Sequence, residues 1–356
     1  MVPKAYLCAQ SDFPALRHEW NKLAIGHRLP TLSHEWCTAA LAALEPHDEP
    51  SIILTRSKSG DLTGAAPLLR RSNAPYLTLL GNDSVPEPAF LLFADQESLR
   101  IILARARRLG FPLRLGRIPH AILSSDDLRK FGTGGLLVKI SSEAGSPCLP
   151  IHGEFNEFEA GLSAQRRGDL RRARRRADSL GPVQFDIAPV ARVSARAALE
   201  RFIELERRSW KATAGTSIAH DRRAHRFFSA LVAELPEVLA AWITIGGRTV
   251  AGTLAMEYAG SMWILKTAYD EEYRACSPGV LLMHELVRRA FDLRLETFEF
   301  LGVEERWLEL WTREVHSYYT ADLYTYSPQS AAALWQTCCI ALRRRLRRSP
   351  SLPVRV

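Results

Sequence analysis

The stretch that decides the fold is SMWILKTAYDEEYRACSPGVLLMHELVRRAFDL, from Ser261 to Leu293. Its first part, Met262 to Ala268, is apolar apart from Lys266 and predicts a strand. A helix is predicted to begin at Ser277-Pro278-Gly279, since serine caps helices and proline suits the first helical position. A helix that begins in a glycine-containing turn directs unpaired N–H groups at that turn. The stretch therefore predicts a phosphate site, although an ordinary strand-to-helix turn has the same pattern.

The composition is that of a soluble globular protein with an anionic partner. At 356 residues, the chain has room for about two domains of ordinary size. Its hydrophobic content of 47% and charged content of 24% are typical of a globular protein. The net charge of +8 and the pI near 9.3 indicate an anionic partner of one of three kinds: a nucleotide-like cofactor, a nucleic acid or a membrane surface.

The sequence does not favour a metal site, a signal peptide or a membrane-spanning helix. The cysteines form no CxxC pair and have no histidine at metal-binding spacing, so we expect no metal site, and reduced thiols in a cytoplasmic protein. The chain start has no charged region followed by an apolar one, so we expect no signal peptide. The apolar run from Ala331 to Leu342 is shorter than the roughly 20 residues of a membrane-spanning helix. The cysteines are Cys8, Cys37, Cys148, Cys276, Cys338 and Cys339.

The first half of the chain alternates predicted helices and strands, which indicates a mixed α/β sheet. The region from Gly132 to Pro150 is rich in glycine, serine and proline and is the predicted domain boundary. The predicted helices are Phe13 to Ala24, Ser33 to Leu44 and Gln96 to Leu109. The predicted strands are Ser51 to Thr55, Leu62 to Leu69, Tyr76 to Leu80 and Pro112 to Leu115.

An arginine-rich segment, Phe155 to Leu180, opens the second half, with seven arginines between Arg166 and Arg176. Helical spacing spreads them over more than one face, and Gly181-Pro182 ends the helix. Three interpretations stay open: a solvated helix, a patch for an anionic substrate or lipid headgroup, and a nucleic-acid site. The last is least favoured because no aromatic residues are interleaved for base stacking.

The second half has the predicted order β-α-α-β-β-β-α-β-α-β. Three of its strands form an antiparallel meander, because the turns GGR after Ile245 and AGS after Tyr258 are centred on glycine. A hairpin-like pair of strands ending near Tyr326 is predicted last. The other elements are strands Val183 to Ile187, Leu239 to Ile245, Thr249 to Tyr258, Met262 to Tyr269 and Thr297 to Leu301, and helices Ser194 to Trp210, Asp221 to Leu235, the one from Ser277 and a short one around Glu305 to Trp311.

This order of elements resembles the GNAT acyltransferase fold. In that family the pyrophosphate of an acyl-coenzyme A lies on a Gln/Arg-x-x-Gly-x-Gly/Ala turn that opens the helix after the meander. Arg274 to Gly279 fits this turn, with Ser277 in place of the first glycine. The resemblance implies acyl-coenzyme A as co-substrate, with no metal. The coenzyme-binding residues that it implies are Thr267, Ala268, Tyr273, Arg274, Cys276, Ser277, Gly279 and Val280.

A narrower resemblance is to the FemAB-related acetyltransferases of the CelD, or cellulose-biosynthesis, type. Tyr273 to Gly279 is similar to their Tyr-x-x-x-Ser-Pro-Gly turn. Ser209-Trp210-Lys211, the arginine-rich helix, and Lys266 followed by Tyr269-Asp270 resemble further motifs of that family. Glu299 to Gly302 stands where the family has Asp-Phe-x-Gly.

The sequence differs from that family's motifs at two positions. Glu299 replaces the usual aspartate, and Trp307-Leu308 stands where Tyr-Lys is expected, so a role for that lysine is not carried over.

The resemblance covers Phe155 to Tyr326 and extends to the N-terminal half in pattern only. It implies two GNAT-like halves in tandem: a degenerate one over 1–145 and an acyltransferase domain over 150–328, followed by a tail over 329–356.

Acyl transfer from a thioester to an amine needs a neutral amine, a stabilised oxyanion and a protonated leaving thiolate. For the base, the resemblance favours Glu299, because the family's acid faces the cleft between splayed strands, and His316 is the second candidate. A solvent-facing acid and a surface histidine are the alternatives. Lys266 is expected to anchor a carboxylate or phosphate of the acceptor, and Tyr269 or Tyr273 to protonate the thiolate or to pack on the coenzyme. An acyl-cysteine route is least favoured, because no histidine stands at a fixed spacing from the turn.

The C-terminal tail is amphipathic and basic, with the apolar residues Leu334, Trp335, Ile340 and Leu342 followed by RRRLRR. Such a segment suits the surface of an anionic membrane. A packed terminal helix with a disordered end is the alternative. The expected location is the cytoplasm, with peripheral contact to the inner membrane if the first interpretation holds.

Together these features predict an N-acyltransferase that moves an acyl group from acyl-coenzyme A to an amine of a cell-envelope precursor. The acceptor is an amino sugar or a long-chain lipid amine such as a sphingoid base, as in bacterial ceramide synthesis. Two alternatives remain: a Fem-type transferase that uses aminoacyl-tRNA, and a non-catalytic membrane- or nucleic-acid-binding module on a GNAT scaffold. The Ser-Pro-Gly turn favours coenzyme A over tRNA.

Overall fold

Strands from both halves of the chain join in one sheet. The computed structural model describes residues 5–72, 74–82, 85, 87–131, 137–305 and 307–347, and it describes side chains at these positions except 213 and 340–347. The strands in this part of the chain are β1 Ala5–Cys8, β2 Glu49–Arg56, β3 Leu62–Arg70, β4 Leu77–Leu79, β5 Leu92–Phe93, β6 Leu113–Pro119, β7 Leu137–Pro150, β8 Val183–Pro189, β9 Val238–Ile245, β10 Arg248–Tyr258, β11 Ser261–Tyr269, β12 Thr297–Glu299 and β13 Val315–Tyr324.

Several helices begin at a residue whose side chain caps them, although the expected cap by Ser277 is not made, since its side chain accepts no hydrogen bond from the first turn of its helix. The side chain of Ser33 accepts from the Trp36 N–H, and Asp95 and Ser163 cap their helices in the same way. The helices are α1 Arg17–Ala24, α2 His34–Ala42, α3 Gln96–Arg107, α4 Ser125–Lys130, α5 Phe155–Gly161, α6 Ala164–Leu180, α7 Ala195–Arg207, α8 Trp210–Ala214, α9 Arg222–Glu234, α10 Pro278–Asp292 and α11 Pro328–Arg347.

The order of strands in the sheet is β1-β2-β3-β4-β6-β13-β7-β12-β11-β10-β9-β8, and β5 pairs with β3. The predicted meander of β9, β10 and β11 is confirmed. Its two turns, Gly246-Gly247 and Ala259-Gly260, have positive φ at both central residues. Such turns match the twist of the strands that they join. The pairs β4/β6 and β11/β12 are parallel, and the other strand pairs in the described residues are antiparallel.

Two elements differ from the sequence-based expectation. Residues 137–150 of the glycine-, serine- and proline-rich region form the long strand β7, while 132–136 lie outside the described residues. The predicted C-terminal hairpin is wrong, because Val315–Tyr324 is one strand that lies between β6 and β7. Both strands find their hydrogen-bond partners far away in the chain, and local composition carries no signal of that pairing. The domain limits at 145 and 150 stay a prediction.

Helices cover both faces of the sheet, and one apolar core runs through both halves. On one face α2 packs against α9, where Trp36 and Phe227 meet edge to face at 5.0 Å between ring centroids. On the other face α6 and α10 cover the strands of the second half, and α3 covers those of the first. The predicted tail begins as α11, on which Trp335 is 74% exposed, and its end, 348–356, lies outside the described residues.

Candidate active site

The candidate site begins where two parallel strands separate. β11 and β12 pair only from Ser261 to Trp263, opposite Thr297 to Glu299. Beyond that point β11 continues to Tyr269 with β10 as its partner on one side. The chain after β12 turns away, because Leu301 and Gly302 both have positive φ, at 59° and 61°. One edge of β11 therefore opens into a cleft.

The cleft has a volume of about 640 Å³ and draws its walls from both halves of the chain. The open edge of β11 forms one wall, and the start of α10 closes one end. Residues 300–303 after β12 form the opposite wall. Ser209 to Lys211 at the start of α8, and Glu87 from the N-terminal half, also line the cleft.

A buried aspartate, Asp270, anchors the turn that leads into α10. Asp270, only 1% exposed, accepts from Arg208 Nη1 at 2.7 Å and from Arg248 Nη2 at 2.8 Å. Its other oxygen accepts from the Glu272 N–H at 3.1 Å and caps the 3-10 turn Glu271–Cys276. A buried carboxylate with two guanidinium partners fixes the backbone around it. The sequence motif contained Asp270, but its anchoring role depends on arginines from other elements.

The first turn of α10 presents backbone to the cleft. Ser277 adopts the left-handed conformation, with φ 47°, and Pro278 and Gly279 follow as the first helical residues. A Cβ added to Gly279 would lie 3.7 Å from Tyr269 Cδ1, which is an ordinary contact within the protein. Space for an anion therefore exists at a helix N-terminus, where N–H groups and the helix dipole favour negative charge.

Most residues predicted to bind the coenzyme do line this cleft, and two do not. Cys276 is buried in the core, its thiol donates to the Tyr273 carbonyl at 3.1 Å, and burial raises its pKa. The Tyr273 ring lies against the same core, beneath the Arg248 guanidinium at 5.4 Å. Neither side chain is brought to the cleft. The predicted residues that line it are Lys266, Thr267, Ala268, Tyr269, Arg274, Ser277, Gly279 and Val280.

The two predicted bases pair with each other instead of lining the cleft. Glu299 is buried, and His316 Nε2 donates to its Oε1 at 3.1 Å. Contacts with the Cys148 thiol and with Glu299 raise the pKa of His316 to about 10. An imidazolium has no lone pair with which to take a proton at neutral pH. This differs from the expectation that Glu299 faces the cleft, because its side chain points to β13, whose position the sequence did not predict.

Two lysines place positive charge in the cleft. Lys211 Nζ donates to the Thr267 carbonyl at 2.6 Å, and burial, followed by the charge of Lys266, lowers the pKa of Lys211. The Lys266 ammonium lies 5.6 Å from the centroid of the Phe228 ring. No carboxylate in the described part of the chain forms an ion pair with Lys266. Lys266 is therefore available to an anionic group of a ligand.

Sequence reasoning missed Glu87. This side chain lines the cleft, and its Oε2 accepts from the Gly302 N–H at 3.4 Å. Burial raises the pKa of Glu87 to about 7, against the opposing effects of Arg117, of the Gly302 N–H and of Lys266. No motif surrounds Glu87, and only the pairing of the two halves brings it to the site.

The arginine-rich helix α6 lies beside the turn. Its buried face consists of Leu170, Ala173 and Ala177. Arg176 Nη1 donates to the Ala275 carbonyl at 3.0 Å, which ties α6 to the turn before α10. Several other arginines of α6 are exposed. The helix is thus partly structural and adds positive charge near the start of α10.

Two features of the described residues bear on the predicted metal and membrane partners. No cluster of three or more His, Cys, Asp or Glu side chains in this part of the chain has the geometry of a metal site. Among the described helices, none is long and apolar enough to cross a membrane.

Comparison with known families supports the acetyltransferase resemblance. Residues 164–308 match the family described as an acetyltransferase (GNAT) domain. The chain carries a GNAT acetyltransferase domain over these residues, and the narrower CelD-type resemblance stays a prediction. No curated protein matches the sequence at a significant level.

Similar solved structures span nearly the whole chain. FemX shares 12% identity, with a TM-score of 0.60, over 90% of this chain and 96% of its own. The C-terminal domain of a protein described as a lysylphosphatidylglycerol synthetase from Agrobacterium fabrum shares 10%, with a TM-score of 0.57, over 93% and 97%. A tandem GNAT protein from the clavulanic acid pathway shares 15%, with a TM-score of 0.52, over 92% and 99%. These likenesses concern the fold, and the prediction of a mixed α/β sheet with GNAT architecture is confirmed.

Proposed function

We propose that this protein is an N-acyltransferase that uses an acyl-coenzyme A. One observation carries the proposal: the separation of β11 from β12 opens a strand edge that leads directly to the N-terminus of α10. In an acyl-coenzyme A, a pyrophosphate joins the nucleotide to an amide-containing arm that can pair with a strand edge, and the thioester lies at the far end of that arm. The cleft offers a site for each, in that order.

Each part of the coenzyme has a candidate partner in the chain. The first turn of α10, with Gly279 bare of side chain, suits the pyrophosphate, and Arg274 adds positive charge there. The Thr267 carbonyl points away from β10 and accepts a hydrogen bond from Lys211 Nζ. Because the N–H and the carbonyl of one antiparallel strand residue point to the same side, the Thr267 N–H also points into the cleft. That N–H is positioned to polarise the thioester carbonyl. Tyr269, which lines the same wall, is the candidate donor of a proton to the leaving thiolate.

The proposed acceptor is an amine of a cell-envelope precursor, either an amino sugar or a long-chain lipid amine. Lys266 and Lys211 favour an acceptor that also carries a carboxylate or phosphate group. The likeness to a domain of a lysylphosphatidylglycerol synthetase is compatible with a lipid acceptor, although it concerns the fold.

Thermal-shift titration with acetyl- and palmitoyl-coenzyme A tests the proposal. At a ligand concentration of about 100 Kd, binding adds about 2.7 kcal/mol to the free energy of unfolding, which raises Tm by a few degrees. Free coenzyme A, which lacks the acyl group, serves as the control for recognition of the thioester end. No change in Tm with any of these ligands would contradict the proposal.

A Fem-type transferase that uses aminoacyl-tRNA is the second candidate, and the exposed arginines of α6 favour it. Transfer from radiolabelled aminoacyl-tRNA, with no effect of acyl-coenzyme A on Tm, would select it. A non-catalytic module would bind vesicles or RNA and release no thiol from an acyl-coenzyme A.

A further inference from the structure

The N-terminal half supplies one carboxylate to the cleft that the C-terminal half builds. Two carboxylates are found among the described residues of the lining, Glu87 and Glu305, and no histidine is. Glu305 is exposed and accepts from Trp307 Nε1 at 2.6 Å. Glu87 is half-buried, and the base that acyl transfer to an amine requires has to lie within reach of that amine.

The backbone that carries the Glu87 side chain is held at Glu87 and at the residue that follows it. Asn82 Nδ2 donates to the Glu87 carbonyl at 3.1 Å, and Thr31 Oγ1 donates to the Pro88 carbonyl at 2.6 Å. The carboxylate itself accepts from the Gly302 N–H. A side chain held by such contacts is preorganised for its role.

Gly302 connects Glu87 to the point where the strands separate. Its N–H serves Glu87, and its carbonyl accepts from Arg117 Nη2 at 2.8 Å and from Ser146 Oγ at 2.8 Å. Gly302 has a left-handed φ of 61°, which glycine adopts without strain. In this conformation its N–H and its carbonyl both form hydrogen bonds with residues of the N-terminal half, Glu87 and Arg117. The same turn that opens the cleft thus aims Glu87 into it.

We infer that Glu87 is the general base that takes a proton from the acceptor amine. This rests on the proposed function. The amine nitrogen forms a bond to the acyl carbon, the bond from that carbon to sulfur breaks, and Glu87 takes a proton from nitrogen. The thiolate receives a proton, from Tyr269 or from solvent, and the products are an amide and free coenzyme A.

The charges around Glu87 suit a group that changes its protonation state near neutral pH. Burial raises the pKa of Glu87 to about 7, and the neighbouring cations keep it from rising further. A base is most effective when its pKa lies near the working pH. The charged or titratable groups that surround it are Arg117 on β6, Lys211 on α8, Lys266 on β11, Tyr318 on β13 and Glu305 after β12.

The first test is a direct titration of the carboxyl group. Wild-type protein and Glu87→Gln, both labelled with 13C at the glutamate side-chain carboxyl, are followed by NMR between pH 4 and pH 9. One resonance with a midpoint near pH 7, missing in Glu87→Gln, is expected. A Glu87 resonance that titrates near its ordinary value, about 4.3, would overturn the inference.

The second test follows thiol release from acetyl-coenzyme A, with D-glucosamine 6-phosphate, sphinganine 1-phosphate and water as probe acceptors. Glu87→Gln is expected to lower kcat/KM at least about 100-fold, to remove the rise of rate with pH near 7, and to keep the thermal shift with acetyl-coenzyme A. Glu97→Gln, at an exposed glutamate of α3, is the matched control.

The outcomes separate this inference from the proposed function. Thiol release by Glu87→Gln with the wild-type rate and pH profile overturns the role of Glu87 alone, as does loss of the pH-dependent rise only in Glu305→Gln. If the wild-type protein neither responds to acetyl-coenzyme A nor releases thiol, the proposed function fails, and the role of Glu87 fails with it, even where its carboxyl titrates near pH 7.

Discussion

Glu299 and His316 form a hydrogen-bonded ion pair at 3.1 Å, from His316 Nε2 to Glu299 Oε1, between two strands that follow one another in the chain and are separated in the sheet by β7. The carboxylate is buried, whereas the imidazole side chain is 46% exposed. The two side chains reach across β7 and so link β13 to β12. Its role is to hold the sheet together beside the cleft.

The ion pair predicts a pH-dependent contribution to stability. Because the pKa of His316 is raised to about 10, the contribution is complete below the unfolded value, about 6.5, and is lost as the pH rises through 10. Since half of the ring is in solvent, we expect about 1 kcal/mol. The measurement is the difference in the free energy of unfolding between wild type and His316→Gln at pH 6 and at pH 10.5. An equal difference at both values would contradict it.

Gly279 is predicted to be required for coenzyme binding but not for folding. A Cβ there meets only an ordinary contact in the protein, so Gly279→Leu should change the free energy of unfolding by less than about 1 kcal/mol. The larger side chain would occupy the start of α10, where the pyrophosphate is proposed to lie. We expect Kd for acetyl-coenzyme A, measured by calorimetry, to rise at least about tenfold, or about 1.4 kcal/mol. Gly161→Ala on α5, with open space around its Cβ, is the control, and an unchanged Kd in Gly279→Leu would contradict the prediction.

Arg176 is predicted to support the same turn from the side. The Arg176→Ala variant lacks the hydrogen bond to the Ala275 carbonyl, which contributes about 1 kcal/mol to the free energy that holds the turn in place. We therefore expect acetyl-coenzyme A to bind about fivefold more weakly. Arg175→Ala removes the same charge from an exposed position on the same helix, for which no contact with the turn is found in the described residues. Equal effects of the two variants would show that charge alone acts.

The exposed Trp335 on α11 predicts contact with an anionic membrane surface. An exposed aromatic ring on a basic helix gains from insertion at the interface. Sedimentation with phosphatidylglycerol vesicles should recover the wild-type protein, and Trp335→Ala should bind about tenfold more weakly. Tyr326→Ala, at an exposed ring just before the helix, is the control. Equal recovery with phosphatidylcholine vesicles would contradict an electrostatic contribution.

Much of the fold was predictable because its signals are local. The glycine-containing turns of the meander, the apolar runs of β9 to β11 and the Ser-Pro-Gly start of α10 lie within a few residues of the structure that they specify. For the same reason, most residues that the sequence predicted to bind the coenzyme lie together along one cleft, and their role there stays a prediction.

The sequence by itself determined the meander of β9, β10 and β11 and the turn that opens α10, because backbone preferences act between neighbours in the chain. Only the tertiary structure decided that β13 lies between β6 and β7, that Glu299 pairs with His316, and that Glu87 reaches the cleft. Gly302 and Glu87 are separated by more than half of the chain's length, and their contact exists only after the sheet has closed through β7 and β13. Contacts of that kind depend on the sum of packing across both halves, which no local pattern records.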